Sequence, residues 1–209
     1  MKIIFFVLIV LGLFNFEKAY AEGSVINKYE NLYNGGDVES AYKLGLIYYY
    51  GLNGVVNEDK NKGVEYLIYA DNNGHIRATA LLGIHNFNYN NEVDAMKYFK
   101  KAAIGGDLLS MAYIGKMIES KSKEEAEKFY RRSIVGKSPK SYYFFGKFLI
   151  DNNRKGTVKS LEGYSLLISL DRSGMDVDMS VRKYLRVNSY SFSNKEMEIM
   201  KQFLDMYKI

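Results

Sequence analysis

Apolar positions along this chain recur with a helical period and not in alternation. Gly63–Tyr66–Ala70–Gly74, Ala95–Tyr98–Ala102–Gly106 and Gly163–Leu166–Leu170–Gly174 share offsets of 3, 7 and 11, and Ala126–Phe129–Ser133 follows the first two before Gly136 arrives one residue early. Offsets of 3 and 7 put side chains on one helical stripe. The closing glycine suits the left-handed position that ends a helix. A second glycine, Gly45, Gly83, Gly115 or Gly146, follows Gly36, Gly74, Gly106 or Gly136 by 9, 9, 9 and 10 residues, while the closing glycines drift in spacing (38, 32, 30 and 38). A short offset held inside a wandering period marks an internal repeat.

The elements follow. A short helix is predicted near Val25 to Tyr33, then helix pairs at about 38–73, 76–105, 108–135, 139–173 and 177–208. Ser122-x-x-Glu125 and Ser193-x-x-Glu196 read as capping boxes, and Ser138-Pro139 as an N-cap followed by the one helical position where a missing N–H costs nothing. No stretch alternates at period two between hairpin turns, which excludes a sheet. The expected fold is all-α, an α/α solenoid (superhelix) of about five antiparallel helix pairs, with units at about 37–74, 75–106, 107–136, 137–174 and 175–209. Each unit buries its stripe only against its neighbours, so residues 22–209 are expected to form a single repeat domain.

Ala78-Thr79-Ala80-Leu81-Leu82-Gly83 and the run Asp94-Ala95-Met96-Lys97-Tyr98-Phe99-Lys100-Lys101-Ala102-Ala103-Ile104-Gly105-Gly106-Asp107 resemble the Sel-one-like repeat, a relative of the tetratricopeptide repeat. Tyr48-Tyr49-Tyr50-Gly51, Gly54-Val55-Val56, Asp59 and Lys62-Gly63 are similar to its inter-helix loop. The likeness covers roughly Asp37 to Gly174. It implies an adaptor for protein complexes, in bacteria often linked to envelope or host contact. The loops after Phe87 and Glu119 are shorter than the pattern, and the paired cysteines of some bacterial members are absent, so activities claimed for those members do not transfer.

The N-terminus carries an export signal in sequence terms. Lys2 precedes a 12-residue apolar run, Ile3 to Phe14, and Ala19-Tyr20-Ala21 offers a small-x-small cleavage site. The run is too short to span a bilayer, which needs roughly 18–20 residues. Residues 1–21 are therefore expected to be a signal peptide, leaving a periplasmic or secreted protein with no membrane insertion. Loss of Lys2, Glu17 and Lys18 lowers the net charge from +5 to +4. That mild excess suits an acidic partner and is too weak to argue for nucleic acid. With no cysteine, stability must come from packing alone.

Candidate chemistry is sparse. Gly136-Lys137-Ser138 resembles the tail of a phosphate loop, but Arg131 stands where its first glycine belongs. Ser120-x-x-Lys123 lacks the partner motifs of penicillin-recognising enzymes. His75 follows a closing glycine, where a solvated turn is expected, and His85 lies on a first helix, packed or at the surface. Glu124, Glu125, Lys121 and Lys123 read as a solvated first turn. Arg131, Arg132, Lys137 and Lys140 read as a solvated rim, with an anionic partner as the alternative. No nucleophile, base and oxyanion donor assemble, so neither catalysis nor a cofactor or metal is expected.

The expected function is that of a monomeric interaction adaptor binding a protein or peptide. The alternatives are a periplasmic immunity protein and, from another class, a weak cell-wall-related or β-lactam hydrolase. In each first helix the residue before the Leu-Gly leucine (or its counterpart) and the residue three after that leucine share a face. These are Lys43 and Ile47, Leu81 and His85, Tyr113 and Met117, and Phe144 and Phe148, with Tyr50 extending the row. Mostly large and apolar, the row is predicted to form a concave contact strip. Packing within a unit is the alternative, chiefly for Phe144 and Phe148.

Overall fold

The computed structural model describes residues 24–53, 55–173, 180–188 and 191–208. The expected signal peptide and the closing Gly174 lie outside these. Eleven α-helices are found among the described residues: α1 (24–34), α2 (Val38–Tyr50), α3 (Lys60–Asn72), α4 (Ile76–Asn88), α5 (Glu92–Ile104), α6 (Leu108–Ile118), α7 (Lys123–Ser133), α8 (Pro139–Asn152), α9 (Val158–Arg172), α10 (Ser180–Asn188) and α11 (Asn194–Met206). They open and close within a few residues of the sequence-based boundaries. No strand occurs among the described residues beyond an isolated bridge, Leu52 to Val56. The chain divides into two compact units whose boundary, between Tyr98 and Phe99, falls inside α5.

In the first unit Ala41, Leu67, Ala70, Ala78 and Leu82 are almost wholly buried, with Tyr33, Tyr42 and Tyr98 packed against them. Tyr33 meets Tyr66 and Tyr69 edge-on at 5.0 and 4.9 Å, which seats α1 on α3. In the second unit the core runs through Tyr130, Phe145, Leu149, Leu161 and Leu167, each buried to the last per cent. Burying one such side chain stabilises by about 1.5–3 kcal/mol.

The first-helix glycines have a common explanation. A Cβ on Gly45 would lie 2.8 Å from Leu67, one on Gly115 3.1 Å from the Tyr130 ring, and one on Gly146 2.7 Å from Leu167. Each is a notch that receives a large second-helix side chain. These knobs stand four residues after the small residue that opens the stripe, one later than the large residue singled out by sequence. Leu67, Tyr130 and Leu167 are at most 1% exposed, whereas Tyr66 and Phe129, at the expected offset, are only half-buried.

Turn geometry holds more strictly than residue type. Gly36, Gly74 and Gly106 have φ of +90°, +84° and +94°, the left-handed region that glycine enters without strain. The fourth turn corrects the reading of Gly136 as a closing glycine. Gly136 sits in a 3-10 turn (Ile134–Gly136), and Lys137 takes the left-handed position at φ 51°. Lys137 stands 11 residues after Ala126, so the frame is kept and a non-glycine carries it. Gly136 is small for another reason, since a Cβ there would be 3.1 Å from Leu108.

The caps follow the same frame. Asp37 and Asp107 accept the amides of Ser40 and Ser110 at 2.8 and 2.6 Å. Ser193 and Glu196 form a full capping box. Ser122 accepts the Glu125 amide at 3.3 Å, and Ser138 precedes Pro139 without a side-chain cap. Substituting such a cap by alanine typically costs about 1 kcal/mol.

Candidate functional site

In the first unit α2 and α4 present a surface rich in tyrosine. At its N-terminal end His75 occupies the cap position that Asp37 and Asp107 hold elsewhere. Its Nδ1 accepts the Ala78 amide at 3.1 Å, so Nε2–H is left to donate to the Glu39 carboxylate at 3.0 Å. The imidazole stacks on Tyr42 with centroids 4.3 Å apart. That hydrogen bond is the main cause holding the Glu39 carboxyl below its ordinary range. His75, read by sequence as a solvated turn residue, is thus a cap that ties α4 to α2, and its side chain is only 15% exposed.

At the other end Tyr49, Tyr50, His85 and Tyr89 cluster. The Tyr49 hydroxyl and His85 Nδ1 are 3.1 Å apart. Tyr50 meets Tyr49 edge-on at 5.0 Å, and His85 lies 4.7 Å from Tyr89. Burial, with the positive charge of Lys60 nearby, lowers the affinity of His85 for a proton. Burial also raises the Tyr49 and Tyr42 phenols, so both stay neutral. Tyr50 and Tyr89 are each 59% exposed, an uncommon amount of aromatic surface.

Of the predicted strip residues here, Ile47, Leu81 and His85 are half-buried and Tyr50 is exposed. Leu81 packs against the unit's core. Lys43 stands 5.2 Å over the Tyr29 ring and 3.6 Å from Glu39.

The second unit departs from the predicted strip. Tyr113 is 6% and Phe148 4% exposed. Tyr113 stacks on Phe99 at 4.7 Å, and Phe148 packs on Tyr130 at 5.2 Å. Both fill the core and offer no free surface, so the strip as first drawn is corrected at these two positions. Met117 and Phe144 remain half-buried. Lys140 stands 5.3 Å over the Phe144 ring, beside a groove of about 160 Å³ rimmed by Tyr143, Lys147 and Asp151.

Arg131 is exposed, as expected of a rim residue, but its guanidinium is not free. Its two terminal nitrogens donate to both oxygens of the buried Glu162 carboxylate at 2.9 and 3.0 Å, and it also donates to Glu127 at 2.8 Å. The Tyr207 hydroxyl donates to Glu162 at 2.5 Å and Lys159 to Glu127 at 2.7 Å. This network joins α7, α9 and the end of α11. Its partners lie 31 and 45 residues apart in sequence, so no local pattern announces it.

The fragments that imitate catalytic motifs take ordinary places. Gly136-Lys137-Ser138 is a turn leading into an N-cap, Ser120 is exposed between α6 and α7, and Lys123 opens α7. Among the described residues no three of His, Cys, Asp or Glu are grouped to hold a metal, and no helix is long and apolar enough to cross a membrane.

Helix pairs of one repeated frame, three of them joined through a glycine notch, define a helical repeat protein. The Sel1 repeat matches residues 38–75 and 89–107. The chain thus carries Sel1 repeats over these residues, and its helical-repeat fold is shared with the solved structures below. No curated protein matches the sequence. Among solved structures, the chain is similar to c5321, a protective antigen present in uropathogenic Escherichia coli strains and displaying an SLR fold. The TM-score is 0.73 and the identity 15%, over 87% of this chain and 40% of that one. It thus spans well under half of that antigen's length. A Sel1 repeat protein from Oxalobacter formigenes matches with TM-score 0.62 and 18% identity, over 89% of this chain and 78% of that one. The immunity protein Pa5087 from Pseudomonas aeruginosa matches with 0.54 and 18%, over 89% and 74%. At such identities the likeness shows the fold alone.

Proposed function

We propose that this chain is an exported adaptor that binds a protein partner on the first-helix face of its N-terminal unit. The observation that carries this reading is Tyr50. It stands 59% exposed beside half-buried Ile47, with Tyr89 equally exposed at the end of α4. Exposed tyrosine beside apolar neighbours is the usual composition of binding hot spots. Export rests on Lys2, the run Ile3–Phe14 and Ala19-Tyr20-Ala21. Lys43, Leu81 and His85 complete the face in the first unit, while Met117 and Phe144 are the residues of the predicted strip left accessible in the second. No cofactor is needed, and the chain acts as a monomer. The test is affinity capture from envelope extract with wild type and with Ile47→Ser/Tyr50→Ser. A partner held by wild type and lost by a double variant of unchanged helicity and melting supports the reading. Equal capture by both refutes it.

A second reading, an immunity protein that neutralises a secreted toxin, is favoured by the likeness to Pa5087. It expects co-expression to rescue cells from one toxin, which an adaptor would not do.

A further inference from the structure

A cavity of about 750 Å³ opens in the first unit between the α2–α3 connection, the first turn of α3 and Tyr89. That volume falls within the ~300–1,000 Å³ usual for small-molecule sites. Short-range bonds build its wall. Leu52 and Val56 exchange backbone hydrogen bonds at 2.8 and 2.9 Å, and the Asp59 amide donates to the Tyr48 carbonyl at 2.7 Å. Gly51, at φ +72°, lets the connection close, since a Cβ there would lie 3.1 Å from both the Glu58 nitrogen and the Val56 oxygen.

The charged groups around the cavity are already engaged. Glu58 pairs with Lys60 at 3.2 Å, Asp59 accepts the Lys62 amide at 3.0 Å, and the Lys62 ammonium stands 3.8 Å over the Tyr48 ring. The groups left open are neutral. The Asn57 and Asn61 carboxamides and the Tyr89 hydroxyl belong to exposed residues and make no hydrogen bond to another described residue. Each carboxamide offers two donors and an acceptor, and the phenol one of each. Tyr89 has His85 as a ring neighbour at 4.7 Å, yet it stays 59% exposed. The negatively polarised face of such a ring attracts the weakly positive C–H groups of a ligand.

We infer that this cavity binds a neutral saccharide, whose hydroxyls pair with Asn57 and Asn61 while its C–H face lies on Tyr89. A sugar ring carries both surfaces at once, hydroxyls that donate and accept around its edge and C–H groups across its face. Other occupants fit less well. An anion would meet ammonium groups that already have partners. A metal ion would meet one carboxylate paired with lysine and another capping α3. A large apolar side chain would cover the two carboxamides and leave them unpaired. The site adjoins the proposed protein-binding face at Tyr89 but does not rest on that reading.

The test titrates the isotope-labelled full chain with maltotriose, cellotriose, mannotriose and N-acetylated chitotriose, and separately with inorganic phosphate, following the asparagine side-chain amides by NMR. At least one of the sugars should shift the Asn57 and Asn61 amides in a saturable way, and phosphate should leave them unmoved. Affinity for that sugar should fall at least tenfold in Tyr89→Ala and in Asn57→Ala/Asn61→Ala, and much less in Tyr89→Phe, which keeps the ring. It should be unchanged in Ile47→Ser/Tyr50→Ser. Circular dichroism of each variant should match wild type, and if Tyr89→Ala lost helicity the exposed carboxamide pair decides. No saturable shift with any of the sugars, binding indifferent to the carboxamide pair, or phosphate shifting the same amides overturns the inference. Sugar binding lost in Ile47→Ser/Tyr50→Ser and kept in Asn57→Ala/Asn61→Ala would place the ligand on the tyrosine face and overturn it too. Protein capture and sugar titration are read on different variants, so the adaptor reading and this inference fail separately.

Discussion

Gly146 and Gly163 lie against each other where α8 crosses α9, and replacing either with alanine gives a measurable consequence of the notch geometry. A Cβ on Gly163 would stand 2.7 Å from the carbonyl oxygen of Gly146, and one on Gly146 would stand 3.0 Å from that of Gly163. Ordinary contact begins near 3.4 Å, so Gly163→Ala requires the helices to part by about 0.7 Å, judged from that difference. A backbone carbonyl cannot swing aside as a side chain can. Leu167, which would lie 2.7 Å from a Cβ on Gly146, is wholly buried and has nowhere to go. Overpacking of this kind costs about 1–3 kcal/mol, and alanine returns about 1 kcal/mol of helix propensity. Because the clashing atom is a backbone carbonyl, the upper part of the overpacking range, about 2–3 kcal/mol, applies. The net loss expected for Gly163→Ala is about 1–2 kcal/mol, or a melting temperature lower by about 2–8 °C in a chain of this size. Because one separation relieves both clashes, Gly146→Ala/Gly163→Ala should cost less than the two singles added, by at least about 0.5 kcal/mol. Urea titrations followed by circular dichroism measure all three. A Gly163→Ala variant as stable as wild type, or strict additivity, would refute the close approach.

Lys137→Gly should raise the melting temperature, because it frees a non-glycine residue from a left-handed turn worth about 1–2 kcal/mol and loses only an exposed hydrogen bond to the Lys208 carbonyl. A lower melting temperature would show that this hydrogen bond matters more than the turn. Acid should act through Glu127. Burial alone would raise its carboxyl, but hydrogen bonds from Lys159 and Arg131 outweigh burial and hold it below the ordinary 4.5. Its folded-state value is depressed, so its stabilisation is present above about pH 4.5 and is lost as the pH falls through that lower value. Glu127→Gln should therefore flatten the fall in stability between pH 5 and pH 3, and equal slopes in denaturant titrations would contradict the assignment.

Much of the fold was legible because helical repeats write themselves locally. The spacing of small residues and glycines placed the helix pairs from α2 to α9, and the Ser193–Glu196 box marked the last helix. Three features were not legible, each for a physical reason. The knobs Leu67, Tyr130 and Leu167 differ in type from unit to unit, since each fills a differently shaped notch, so they formed no pattern. His75 caps a helix where Asp37 and Asp107 mark the frame, and an imidazole does so only because Glu39 and Tyr42 orient it. Arg131 looked like a surface charge because its partner Glu162 reaches it only through packing. The aromatic row on the first helices was visible as a pattern, but periodicity alone could not tell Tyr50, which faces solvent, from Tyr113 and Phe148, which face the core.

The left-handed positions also act as a ruler for where this architecture can grow. Gly36 to Gly74 spans six residues more than Gly74 to Gly106, although α2, α3, α4 and α5 are all thirteen residues long. The whole difference lies in the connection within the pair, nine residues after Tyr50 against three after Asn88. Extending a loop from three residues to nine costs about 1 kcal/mol in closure entropy. The turn at Tyr89, Asn90 and Asn91 is thus a position where foreign sequence could be spliced in without disturbing a single notch. It would emerge directly beside His85 and Tyr89, so an insert there could be used to append a second specificity to the tyrosine face.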